Sequence, residues 1–152
     1  MIADKGGVAA LFALMFAAGL GIPVLAVLNG GLGRQLNSPP AATFVVFAMG
    51  LLLASVVLVF AGLPSATDMR AVKLPYAFGA VFMVFYILSV TIAAPRIGVG
   101  NAIFFVLLGQ MVSAALVDHF GLWGAATSAL TGRRIMGIII MTVGVYFARR
   151  VS

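Results

Sequence analysis

Cysteine is absent from this 152-residue chain, acid is nearly absent, and tryptophan and histidine occur once each. Without cysteine there is no disulfide, no thiolate nucleophile and no thiolate metal ligand. The only carboxylates are Asp4, Asp68 and Asp118. So few acids leave no His/Asp/Glu cluster with metal-ligand spacing, and no nucleophile with a base and an orienting group nearby. No glycine-rich phosphate loop carries a lysine, and Gly19-x-Gly21 lies inside an apolar stretch rather than in a nucleotide motif. The chain reads as a non-enzyme, with no metal and no cofactor.

Apolar residues fill the space that charge leaves. Charged residues make up 8% of the sequence and hydrophobic ones 64%, with a mean hydropathy of +1.24. Five apolar runs, separated by four short polar breaks, span about 8–29, 41–62, 75–94, 99–117 and 135–148. Runs of roughly 17–25 residues match the hydrocarbon core of a bilayer. In lipid the backbone must satisfy its own hydrogen bonds, and runs without period-2 alternation are helices rather than barrel strands. The expected fold is an all-α membrane protein with five transmembrane helices in a single domain over 1–152. The fifth run is short, so Arg133, Arg134, Arg149 and Arg150 are expected to snorkel, or the preceding segment to add a turn. Residues 121–132 are too mixed to span and are expected along the interface. Lys5 followed by an apolar run raises the question of a cleaved leader. That run exceeds the usual 7–15-residue apolar region and ends without a clear small-x-small site, so it reads as a retained first helix.

Nine Lys and Arg give a formal charge of +6. They sit in the breaks, where anionic headgroups and the positive-inside bias account for them, and no basic face is large enough to track nucleic acid. With five spans the termini lie on opposite sides. Lys5, Arg70, Lys73, Arg133 and Arg134 fall on the N-terminal side, and Arg34, Arg96, Arg149 and Arg150 on the other. A five-to-four split is too small to set topology firmly. Two readings stay open: a cytoplasmic N-terminus with weak charge bias, or dual insertion and pairing with an oppositely oriented partner.

Four segments carry a family resemblance. Gly21-Ile22-Pro23-Val24-Leu25-Ala26-Val27-Leu28-Asn29 with Leu32-Gly33-Arg34 is the first, and Ala93-Ala94-Pro95-Arg96-Ile97-Gly98 the second. Gly109-Gln110 and Val117-Asp118-His119-Phe120-Gly121-Leu122 complete the set. In order and spacing they resemble the YdcZ-like branch of the drug/metabolite transporter superfamily over about 19–148. Leu25 stands where a glutamine is common and Val46 where a serine often precedes Phe47 and Gly50; both departures remove polar groups. The resemblance implies a half-unit of an inverted-repeat transporter in the bacterial cytoplasmic (inner) membrane. It would work as an antiparallel homodimer or with a paired homologous subunit, by alternating access.

Polar groups at membrane depth are expensive and therefore informative. Gln110 and Ser113 share a face of the fourth run by their spacing, as Tyr86 and Ser89 do on the third. Asn29 closes the first run and Asn101 opens the fourth. These six are the substrate-cavity candidates, with interhelical hydrogen bonding or capping as the structural alternative. Gly21 and Pro23 are hinge candidates, since proline removes a backbone hydrogen bond and bends a helix. Asp118 and His119 are candidates for protonation or gating, or else they mark the headgroup boundary. No carboxylate sits mid-membrane to exchange a proton for a cation, so facilitated movement or exchange is expected rather than tight proton coupling. The leading function is secondary transport of a small organic solute, amphipathic or hydrophobic given 12 Phe. A lipid or amphiphile flippase and a non-transporting subunit of a larger complex are the alternatives.

Overall fold

The computed structural model describes residues 5–148, and among them every regular element is a helix. In order these are α1 (Lys5–Gln35), α2 (Pro39–Ala61), α3 (Ala66–Arg70), α4 (Leu74–Ala77), α5 (Gly79–Ile97), α6 (Val99–Phe120), a short 3-10 turn (Leu122–Gly124) and α7 (Gly132–Ala148). Four stretches are long and apolar enough to cross a membrane: Gly7–Gln35, Pro39–Ala61, Leu74–Ile97 and Val99–Phe120. Most large apolar side chains on them are exposed, including Phe12, Phe16, Phe44, Phe60, Phe82 and Phe85. Such a surface suits hydrocarbon, where no water penalises it. The fifth run forms α7, 17 residues long, or about 26 Å of helix.

Local chemistry sets the element ends. α1 continues through Pro23 for 31 residues and stops in a Schellman motif. Ser38 N–H donates to the Gly33 carbonyl at 3.1 Å and Asn37 N–H to the Arg34 carbonyl at 3.2 Å. Asn37 takes the left-handed conformation (φ 47°), which asparagine tolerates better than most residues. Ser38 then caps α2, its hydroxyl accepting from Ala41 N–H at 3.3 Å, and Pro39 follows at the first helical position. Before α3, Ser65 and Asp68 form a reciprocal cap: Asp68 N–H donates to the Ser65 hydroxyl (3.1 Å), which donates to the Asp68 carboxylate (2.6 Å).

The third apolar run is longer than the pattern 75–94 suggested. Its helix carries on through Pro95 to Ile97, and Gly98 at φ 86° ends it. Proline at 95 removes the bond its own N–H would have made and crowds the carbonyl four residues back, yet the helix continues past it, whereas positive φ at Gly98 is a conformation that side-chain-bearing residues avoid. The chain divides into two compact units, one up to Arg96 and one from Ile97. The first unit has its core where α1, α2 and α5 meet: Ala26, Asn29, Ala42, Thr43, Ile87, Val90, Thr91 and Ala94 are buried. The second has Ala102, Ala115 and Val145 buried. Small residues dominate both, as expected where helices gain from close backbone approach rather than from expelling water.

Candidate functional site

In the first unit, Ala26, Asn29, Gly30 and Gly33 share one face of α1 by their spacing. Gly33 faces Thr91: a Cβ there would meet the Thr91 methyl at 3.1 Å. Gly30 faces Pro95, whose Cγ would lie 3.0 Å from an added Cβ. Residue numbers rise along α1 while their partners fall along α5, so the two helices run antiparallel along this seam. Both buried threonines bond to their own helices: Thr91 donates to the Ile87 carbonyl at 2.7 Å and Thr43 to the Pro39 carbonyl at 2.9 Å.

Two polar atoms in this unit are buried without a hydrogen-bond partner, Asn29 Nδ2 and the Tyr86 hydroxyl. Asn29 is 4% exposed, and its orphaned amide is held in a seam otherwise made of methyls, glycines and back-bonded threonines. An unmet donor in such surroundings costs about 1–3 kcal/mol. Tyr86 is half-buried, as is Ser89 three residues on. Asn29 neighbours Gly30 at the Pro95 end of the seam, and Tyr86 lies about nine residues, or roughly 13 Å, back along α5 from Pro95. They are two separate polar positions rather than one pair.

In the second unit, Gln110 and Ser113 are exposed on α6. Asn101 donates from Nδ2 to the Ile97 carbonyl at 2.8 Å, closing the backbone across Gly98. It also lines an open cleft of about 320 Å³, with Gly98, Phe104 and Ala148 among the other walls. Gly21 and Pro23 are exposed, and an added Cβ at Gly21 would meet nothing within 4 Å.

Asp118 and His119 tie down the connection between α6 and α7. Asp118 Oδ2 accepts from Arg134 Nη2 at 2.7 Å, both side chains being about one-third exposed, and its backbone carbonyl accepts from Ser128 N–H at 2.9 Å. His119 Nδ1 accepts from Leu130 N–H at 3.1 Å. Gly121 turns the chain at φ 59°, with the Thr127 methyl 2.6 Å from where a Cβ would stand. Arg134 and Leu130 are partners that spacing did not reveal. The lone acid at the end of an apolar run was the available signal for the first, since such an acid calls for a cation. Nothing local signals the second, because a backbone N–H has no sequence signature.

Long, apolar, outward-facing helices define a multi-pass protein of the membrane. The chain belongs to the family described as "Putative inner membrane exporter, YdcZ", whose pattern matches residues 10–147. It is accordingly a multi-pass protein of the inner membrane. No curated protein and no solved structure matches it.

Proposed function

We propose that this chain is one half of a secondary transporter that moves a small organic solute, amphipathic or hydrophobic, out across the inner membrane. Five helices cross the bilayer in a single domain, α7 being the fifth, and two such units pair antiparallel and exchange conformations to alternate access. Asn29 carries the reading. A donor left unmet in a glycine-lined seam is poised for a solute that reaches it when α1 and α5 part. Tyr86 offers an aromatic face and a hydroxyl further back on α5, with Ser89 on the same face. Gln110, Ser113 and Asn101 on α6 are the polar positions the second unit offers, and Gly21 and Pro23 supply the bend that lets α1 move. The supporting observations are the family, the lipid-facing helices and the buried amide.

The test is flux in proteoliposomes. Solutes that raise the melting temperature of the purified protein are loaded, and release is compared between wild type and Asn29→Leu. Release should fall at least about tenfold in the variant, while its melting temperature holds or rises because the unmet donor is gone. Equal release from both would remove Asn29 from the pathway. Headgroup-dependent lipid flipping without solute release would replace transport of a solute with transport of lipid.

A further inference from the structure

We propose that His119 is a proton-binding latch: its neutral imidazole holds the connection between α6 and α7 folded, and protonation releases it. This rests on the second unit alone and does not depend on which solute is moved.

The geometry requires one protonation state. Nδ1 accepts the Leu130 N–H at 3.1 Å, across 11 residues of chain. An imidazolium carries a proton on both ring nitrogens and has no acceptor to offer. The latched form therefore holds one proton fewer than the released form, so by linkage acidification favours release and rising pH restores the latch. Histidine is the side chain whose ordinary titration falls between about pH 5 and 8. The charged groups on the packed elements are few. Asp118 precedes His119 on α6, Arg133 and Arg134 open α7, and the connecting residues 121–131 contain no charged side chain. Asp118 is committed to Arg134 at 2.7 Å, which keeps the start of α7 attached when the imidazole lets go. Release is thus confined to the segment between Gly121 and Leu130.

That segment is set for a change of shape. Trp123 is held at φ 54°, a left-handed conformation that bulky residues rarely adopt, and it is 74% exposed. The segment around it is tied at Ser128 and Leu130, the second tie depending on the imidazole. Loss of the Leu130 bond allows Trp123 to relax toward ordinary backbone angles. Protons would then alter one loop at the end of α6, a place where they could modulate transport without any carboxylate in the membrane.

Trp123 is the chain's only tryptophan, so intrinsic fluorescence reports this loop directly. The full-length protein in nanodiscs of zwitterionic lipid is titrated from about pH 8 to 5, the range of histidine. Hydrogen exchange of the peptide containing Leu130 is followed alongside, corrected for the intrinsic pH dependence. Wild type should show a single emission transition, with exchange at Leu130 about fivefold faster on the acid side, the worth of one hydrogen bond. His119→Asn places an amide oxygen near the Nδ1 position and cannot titrate, so it should stay latched across the range. Asp118→Asn should keep the transition. A wild-type loop unchanged in both readouts overturns the proposal without any variant. So does a transition that survives His119→Asn, or one that Asp118→Asn abolishes.

Discussion

At the scale of single residues, the seam between α1 and α5 separates glycines that are needed from glycines that are not. An added Cβ at Gly33 would meet Thr91 at 3.1 Å and one at Gly30 would meet Pro95 at 3.0 Å, whereas Gly50 has nothing within 4 Å. Gly33→Val should therefore lower stability by about 1–3 kcal/mol, as overpacking does. Gly50→Ala should be neutral, or stabilising by up to about 1 kcal/mol through helix propensity. Denaturation in detergent would check both, and equal effects would mean that α1 and α5 do not meet along this seam. Tyr86→Phe makes a sharper contrast. Removing a buried hydroxyl with no partner should leave stability unchanged or higher, while solute flux falls. A drop in stability instead would show that the hydroxyl has a structural partner.

Residue type alone revealed part of this. Asn29 and Tyr86 stood out in the sequence because polar groups at membrane depth are rare, and the structure gives both a buried atom with no partner. Thr43 and Thr91 did not stand out, since a helical threonine can satisfy itself on the preceding turn. Gln110 drew attention by its position in an apolar run, yet it is exposed on α6, because depth along a helix says nothing about which face a residue takes. The seam itself was half visible: Ala26, Gly30 and Gly33 repeat at helical spacing, but their partners on α5 lie some sixty residues away and have no pattern of their own.

At the scale of elements, the breaks are built from a few side chains, and each can be removed alone. Ser38 ends one motif and begins another, so Ser38→Ala should cost about 1 kcal/mol, as lost helix caps do. Asn37→Gly should be tolerated at φ 47°, and Asn37→Val should not. A reversal of that order would show that the connection between α1 and α2 takes another form. Apolar runs located the long helices well because burial in lipid is a property of composition. They did not locate α3, which occupies a break and owes its form to the Ser65–Asp68 cap rather than to hydropathy, nor the separation of α4 from α5 at Phe78 within the third run. The apolar pattern ends the third run at residue 94, before Pro95, but the helix continues to Ile97 and Gly98 ends it. Whether α7 crosses the bilayer can be read directly, since the chain has no native cysteine to interfere. Single cysteines at Thr131 and Ala148 should label from opposite sides of the membrane in each molecule. Labelling of both from one side would make α7 an interfacial helix and reduce the spans to four.

At the scale of the whole molecule, the account rests on two copies in opposite orientations. Its basis is the near balance of Lys and Arg between the two sides that the proposed five spans would define. Charge bias sets orientation, so extra lysines appended at one terminus or the other should fix each population in a single direction. The most direct measurement is solute flux in proteoliposomes made from either locked form alone and from an equal mixture of the two coexpressed. The antiparallel dimer predicts little flux from each form alone and recovery toward the wild-type rate in the mixture. Full flux from one locked form by itself would contradict it.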